Sequence, residues 1–237
     1  MLIYKKLLDA IQSNVNQKPL KIALIDPDKK NDVTLSDQIE YIKSNDFIAV
    51  FCGGSIMMDA MYHKRISYIR KNINLPLIGF PGSVSQINEN FDALLYMSLI
   101  SGRNPQYLIG EQVLSAPIIH DLSLETIPIG YIILNNGKKT SVEIISGTDG
   151  LPMSNHDVVL AHVLASQYLG HKMIYLECGS DSEKIIDIDL LKKIKKNVNV
   201  PLIVGGGIKN QEDIEIISDC GADFIVVSSM IESYVNL

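Results

Sequence analysis

Pro201-Leu202-Ile203-Val204-Gly205-Gly206-Gly207-Ile208 is an apolar run that stops at three consecutive glycines. β-Branched residues dominate it and Pro201 is tolerable only at its start, so it predicts a buried strand. Three glycines leave no Cβ atoms at the strand's C-terminal end, where a ligand can touch the backbone N–H groups. The natural ligand of such a nest is a phosphate. A second apolar run, Phe224-Ile225-Val226-Val227, ends in Ser228-Ser229. Two neighbouring strands that each stop at a small, N–H-rich loop match the phosphate site after strands seven and eight of a (β/α)8 barrel.

Upstream, strands and helices alternate. Strand patterns fall at residues 20–25, 47–51, 76–80, 93–97, 129–134 and 173–176, and helical patterns at 33–43, 56–72, 107–119, 156–169, 183–197 and 211–219. A leading helix is expected at 4–15 and a Gly-rich insertion at 135–152. The pattern predicts eight strands with seven intervening helical spans and a short or truncated last helix. That is an α/β chain forming one (β/α)8 TIM barrel, a single domain over residues 1–237.

The size and composition agree. A chain of 237 residues suits one barrel of roughly 250 residues. Apolar residues make up 46% of it, enough for a large core. A net charge of −6 argues against nonspecific nucleic-acid binding, and the Lys192-Lys193 to Lys195-Lys196 cluster reads as the wet face of a helix. Cys52, Cys178 and Cys220 have no metal-type spacing and suggest reduced thiols in a cytoplasmic protein. Residues 1–10 show no signal-peptide core, and no apolar run approaches the ~18 residues of a membrane span.

In such a barrel the C-terminal strand ends carry the chemistry. The polar groups there are Asp26, Asp28, Ser55, Ser83, Glu177, Ser180, Ser228 and Ser229. Holding a diphosphate calls for a hard cation such as Mg2+ with oxygen ligands. Asp26, which ends the first strand, is the best candidate ligand; otherwise it caps a helix or braces the Asp-Pro-Asp turn. Ser55 follows two glycines and could meet a metal or a phosphate, or could cap the next helix. Glu177 ends a buried strand on the same face as Tyr175, so both could point at one ligand. It reads as a general base or a group that binds a hydroxyl, or else as half of a structural ion pair. The five histidines show no paired ligand spacing.

Several stretches together resemble the geranylgeranylglyceryl phosphate synthases. They are Leu24-Ile25-Asp26-Pro27-Asp28-Lys29, Gly53-Gly54-Ser55, Phe80-Pro81-Gly82-Ser83, Ser101 to Ile109, Ile129-Gly130-Tyr131-Ile132 and Tyr175-Leu176-Glu177. The resemblance runs end to end, in the family's order, and is to the larger-subunit branch. It implies a Mg2+-dependent prenyltransferase that joins a polyprenyl diphosphate, geranylgeranyl diphosphate above all, to sn-glycerol 1-phosphate. Asp26 and Ser55 then correspond to the magnesium positions. Tyr175, Leu176, Glu177, Cys178, Gly179, Ser180 and Asp181 correspond to the glycerol phosphate loop, with Glu177 and Tyr175 as the catalytic pair and Glu177 taking the hydroxyl proton. Gly206, Gly207, Ser228 and Ser229 correspond to the acceptor-phosphate site. Ser228 and Asp181 depart from the glycines usual at their positions. A homo-oligomer, dimer or hexamer, and peripheral membrane contact through the lipid product are also implied. Phe80, Tyr96, Met97, Tyr107, Leu108 and Val113 are candidates for a prenyl groove. The rival readings are an isomerase or lyase on a small sugar phosphate, with Asp26 and Glu177 as acid and base, and a phosphate-binding barrel without activity.

Overall fold

The two longest strands, Ala93–Leu99 and Glu125–Asn135, run parallel, and their pairing, from Ala93 opposite Glu125 to Leu99 opposite Tyr131, closes the sheet into a barrel. The computed structural model describes residues 2–14, 20–135, 137–179, 182 and 184–235. In chain order it contains α1 Ile3–Gln12, β1 Leu20–Ile25, α2 Leu35–Lys43, β2 Phe47–Cys52, α3 Tyr62–Asn72, β3 Leu77–Gly79, β4 Ala93–Leu99, α4 Glu111–Asp121 and β5 Glu125–Asn135. There follow α5 Ser141–Ser146, β6 Leu151–Pro152, α6 His156–Tyr168, β7 Met173–Glu177, α7 Ile188–Asn197, β8 Leu202–Gly205, α8 Gln211–Asp219, β9 Phe224–Val227 and α9 Ser229–Val235. Eight of the strands form the barrel in the order β4-β3-β2-β1-β9-β8-β7-β5, all neighbours parallel; β6 only extends the far end of β5. The expected TIM barrel is therefore present.

Strand alternation divides the core in two. Ile22, Phe51, Ile78, Leu95, Ile129, Tyr175, Ile203 and Phe224 pack inside the barrel. Ile25, Val50, Leu77, Leu94, Ile132, Leu176, Val204 and Val227 face the helices. Ile3 and Leu7 of α1 join the interior cluster. The N–H groups of Ile3 and Tyr4, orphaned at the start of α1, donate to the Glu125 carboxylate at 2.5 and 2.9 Å. Glu125 begins β5, so α1 lies across the end of the barrel opposite the strand C-termini.

One expectation fails. Between β3 and β4, where the sequence shows no helical pattern, there is only a single 3-10 turn at Val84–Gln86, so six of the seven gaps between barrel strands hold an α-helix rather than all seven. Pro81-Gly82-Ser83 breaks the chain after β3, and the turn is held by Gln86 instead. Gln86 is wholly buried; it accepts from the Gly82 N–H at 2.8 Å and donates to the Gly54 carbonyl at 2.9 Å. That side chain ties the loop after β2 to the loop after β3. Two other helices start late: α3 begins at Tyr62 rather than 56, and α7 at Ile188 rather than 183, where the Asp187 carboxylate accepts from the Leu190 N–H at 2.7 Å. Residue 183, like the end of the leading helix at residue 15, lies outside the described residues. The insertion holds a short helix, α5, with a Thr140–Glu143 capping box.

Arg65 fixes the rim from below. Its buried guanidinium donates to both carboxylate oxygens of Asp59, to those of Asp32 and to the Pro27 carbonyl. Those bonds hold the Asp59 carboxyl down at about 2 and knit the loop after β1 to the segment before α3.

Gly53 marks where these loops pass closest. A Cβ there would lie 2.0 Å from the Phe80 carbonyl oxygen, a backbone atom that no rotamer change can move aside. Gly53→Ala is expected to cost more than about 3 kcal/mol in a denaturant titration. A loss below about 1 kcal/mol would show that the two loops are not locked together.

Candidate active site

The strand ends bring most of the sequence candidates to one rim. Asp26 follows β1, Ser55 follows β2 by three residues, Glu177 ends β7, Gly206 and Gly207 follow β8, and Ser228 and Ser229 follow β9. Asp26, Ser55, Glu177, Gly179, Ser228 and Ser229 line one cavity of about 390 Å3. Ser180 and Asp181 lie outside the described residues. The side chains of Leu176 and Cys178 belong to the outer, helix-facing core, so only their backbone can serve the rim. The Cys178 N–H is already donated to the Gly205 carbonyl at 2.9 Å.

Glu177 is buried, and among the described residues no cation pairs with it, which counts against the ion-pair alternative. Its carboxylate accepts from the Gly179 N–H at 2.6 Å and from the hydroxyls of Tyr131 and Tyr175. Burial nevertheless outweighs these three donors and pushes its pKa above the ordinary carboxylate range. Burial, together with the neighbouring carboxylate, raises both tyrosines far beyond their usual range, so they remain donors. Sequence reasoning missed Tyr131; the signal was its inward place in the alternation of Ile129, Tyr131 and Ile133. Around the carboxylate the rings form a cluster: Tyr175 stacks on Phe80 at 5.4 Å, and Tyr131 lies 5.2 Å from Tyr175.

The glycines at and just after the end of β8 make room for this arrangement. A Cβ at 205 would sit 2.1 Å from the Tyr175 hydroxyl, and one at 206 would sit 2.7 Å from Glu177 Oε1 and 2.5 Å from the Gly179 nitrogen. Gly206 and Gly207 also have φ of +86° and +74°, where side chains other than glycine are strained. Thus the glycine run that reads as a phosphate nest also seats the carboxylate.

Asp26 stands apart from helix capping. Its carbonyl accepts from Asn31 Nδ2 at 2.8 Å, while Asp28, not Asp26, caps the turn Lys29–Asn31. Ser55 caps nothing, since α3 begins at Tyr62 after Met61. Gly54 leaves space beside the Asp26 carboxylate: a Cβ there would lie 2.8 Å from Oδ1. Burial lifts the Asp26 pKa to about 6, against the pull of Lys30, whose ammonium lies 3.7 Å away. Among the described residues no three His, Cys, Asp or Glu side chains gather into a cation cage. The Asp26 carboxylate and the Ser55 hydroxyl are oxygen donors of the kind that would suit a hard cation such as Mg2+.

The missing helix after β3 decides the shape of the cavity. β4 lines it with residues of both faces: Leu95, Met97 and Leu99 from the barrel interior, Leu94 and Tyr96 from the outer face. The space therefore runs from the rim out over β4, beneath Tyr107, Val142 and Ile145. Phe80, Tyr96, Met97 and Tyr107 line it as expected, but Leu108 and Val113 do not. A wide turn at Gln106–Gly110 resets the phase of α4, which presents Gln112 and Ser115 inward and leaves Val113 63% exposed. Tyr96 donates its hydroxyl to the Gln112 carbonyl at 2.6 Å, and the Gln112 amide donates to the Met97 carbonyl.

Residues 13–236 match the model of the PcrB family. The chain is 38% identical to a geranylgeranylglyceryl phosphate synthase of Flavobacterium johnsoniae, over 98% of this chain and 94% of that one. It superimposes on the synthase of Thermoplasma volcanium with a TM-score of 0.90 at 28% identity, covering 99% and 95% of the two chains. With the Thermoplasma acidophilum enzyme, whose structure holds its substrate sn-glycerol-1-phosphate, the TM-score is 0.86 at 27% identity, covering 98% and 92%.

The raised pKa of Asp26 makes a stability prediction with a definite sign. Folding favours the protonated carboxyl, so the ionised form costs stability. The cost is absent below about pH 4, grows between about 4 and 6, and is complete above that. In the metal-free protein Asp26→Asn should therefore raise the unfolding free energy at pH 8 by up to about 3 kcal/mol, and hardly at all at pH 3.5. Destabilisation by Asp26→Asn at pH 8 would contradict a charge held there at the expense of the fold.

Proposed function

This chain belongs to the PcrB family, and we propose that it is a prenyltransferase joining the prenyl group of a polyprenyl diphosphate to the hydroxyl of sn-glycerol 1-phosphate. The products are an ether-linked prenylglyceryl phosphate and diphosphate. Geranylgeranyl diphosphate is the donor that its relatives' names point to. The observation that carries the reading is the union, in one cavity, of a polar rim and an apolar extension over β4. A polyprenyl chain needs such an extension, gaining about 0.8 kcal/mol per buried CH2, whereas a small sugar phosphate has no use for it. That disfavours the isomerase or lyase alternative.

The residues divide the work. Backbone N–H groups at Gly206, Gly207, Ser228 and Ser229 hold the acceptor phosphate away from the reacting centre, so that its binding energy orients the hydroxyl. Asp26 and Ser55 would hold Mg2+, which when bound would supply positive charge to the diphosphate. The bond between the prenyl C1 and the diphosphate oxygen breaks, leaving its electron pair on the diphosphate. The acceptor's hydroxyl oxygen bonds to C1, and its proton passes to Glu177. The Tyr131 and Tyr175 hydroxyls keep the Glu177 carboxylate turned to the rim, and its raised pKa makes it a better proton acceptor. The rings of Phe80 and Tyr131, which line the cavity, suit an allylic centre that gathers positive charge.

The direct test is purified protein with Mg2+, labelled sn-glycerol 1-phosphate and a panel of prenyl diphosphates, with product extracted as lipid. No product from any donor would end the proposal. Within that assay Glu177→Gln should lower kcat by about 10²–10⁴-fold with a smaller change in acceptor KM. The wild-type acid limb of kcat/KM should fall above the ordinary carboxylate range, because the base must be ionised. An effect of Glu177→Gln confined to KM would make Glu177 a binding group only.

A further inference from the structure

We infer that Lys30 is the side chain that receives the departing diphosphate, an inference that rests on the prenyl-transfer reading. It starts from an imbalance of charge. Among the described residues lining the cavity, Asp26, Glu111, Glu177 and Glu232 are carboxylates, and Lys30 is the one cation. Both substrates of the proposed reaction are multiply charged anions. A cavity so acidic repels them unless positive charge stands ready at the place where the new negative charge appears.

Lys30 occupies that place. Its Nζ lies 3.7 Å from Asp26 Oδ2 and 3.7 Å from Glu232 Oε1, between the loop after β1 and helix α9. These are ion pairs longer than hydrogen bonds, and the side chain is 56% exposed, so neither contact immobilises it. Its backbone, by contrast, is fixed. Lys30 sits in the turn Lys29–Asn31, where the Asp28 carboxylate accepts its N–H at 3.4 Å and Asn31 is bonded to the Asp26 carbonyl. A long stem pivoting on a fixed point beside Asp26 can carry the ammonium from the two carboxylates to an incoming phosphate at little cost. Lys29, in the same turn, does not line the cavity; its charge acts on Asp59 instead.

When the C1–oxygen bond breaks, its electron pair stays with the diphosphate, which gains one unit of negative charge. The Lys30 ammonium donates its N–H groups to those oxygens and is not consumed. It differs from Mg2+ in remaining with the chain through every turnover. Its link to Asp26, four residues before it, assigns it to the donor's diphosphate rather than to the acceptor's phosphate.

The experiment is calorimetric titration of the full chain with inorganic diphosphate in the presence of Mg2+, and separately with sn-glycerol 1-phosphate. Wild type, Lys30→Gln, Lys30→Arg and Lys29→Gln are compared, with melting temperatures as a check on folding. Lys30→Gln should bind diphosphate about tenfold more weakly, Lys30→Arg should recover most of that loss, and Lys29→Gln should match wild type. Affinity for sn-glycerol 1-phosphate should change less than about twofold in all of them. Unchanged diphosphate affinity in Lys30→Gln, or an equal loss of affinity for sn-glycerol 1-phosphate, overturns the assignment while leaving prenyl transfer intact. Failure of the wild type to bind either ligand would overturn the prenyl-transfer reading itself.

Discussion

The site depends on side chains that are not there. Tyr175 and Glu177 are inward residues of β7, and their neighbours across the β7–β8 ladder are Ile203 and Gly205. Any Cβ at 205 would occupy the position of the Tyr175 hydroxyl, and any at 206 would press on the Glu177 carboxylate and the Gly179 nitrogen. With those positions empty, a ring and a carboxylate can both stand at the barrel mouth, and the carboxylate can collect three donors. Close approach and φ values that suit glycine coincide at Gly206, so a substitution there would disturb the backbone and the base together.

A second constraint is electrostatic. The pKa values of Asp26 and Glu177 are both raised chiefly by burial, so the fold gives up stability to keep two carboxylates at the rim. A core packed as tightly as this one can bear that cost: Ile22, Ile39, Ile66, Phe51 and Phe224 are all fully shielded from water. The two acids have different surroundings and so suit different tasks. Among the described residues the groups that act on the Glu177 carboxyl are neutral donors, which favours proton transfer. Asp26 has an ammonium nearby and a hollow beside Gly54, which favours binding positive charge.

The strand ends and their polar residues are legible in the sequence because parallel strands buried on both faces read as short apolar runs. β1 and α8 fall on their expected boundaries, and Asp26, Ser55, Glu177, Ser228 and Ser229 meet at one cavity as their strand-end positions require. What cannot be read that way is the space between β3 and β4, where the breaking residues Pro81-Gly82-Ser83 are visible but the structural substitute, Gln86, is not. A buried glutamine bonded to two loops leaves no periodic mark. The orientation of α4 is hidden for a related reason. Its apolar residues are spread around the whole helix, so periodicity does not say which face turns in, and the wide turn at Gln106–Gly110 resets that face. Tyr131 escapes notice because an inward tyrosine in an apolar strand looks like core until its hydroxyl's partner, Glu177, is seen across the β5–β7 pairing.

The missing helix and the buried carboxylates answer to one requirement. A barrel with every helix in place has its outer strand faces covered, and a ligand reaches only the rim. Leaving β4 uncovered between the Val84–Gln86 turn and α4 lets both faces of one strand line a continuous space, so an apolar chain can lie outside the barrel while its head group stays at the strand ends. The uncovered strand needs other support, and it has it: β4 pairs along its whole length with β5, the longest strand, and Tyr96 and Gln112 bond it to α4. The longest ladder of the sheet thus stands where a covering helix is lacking, and it holds rigid the wall along which a long apolar substrate would run.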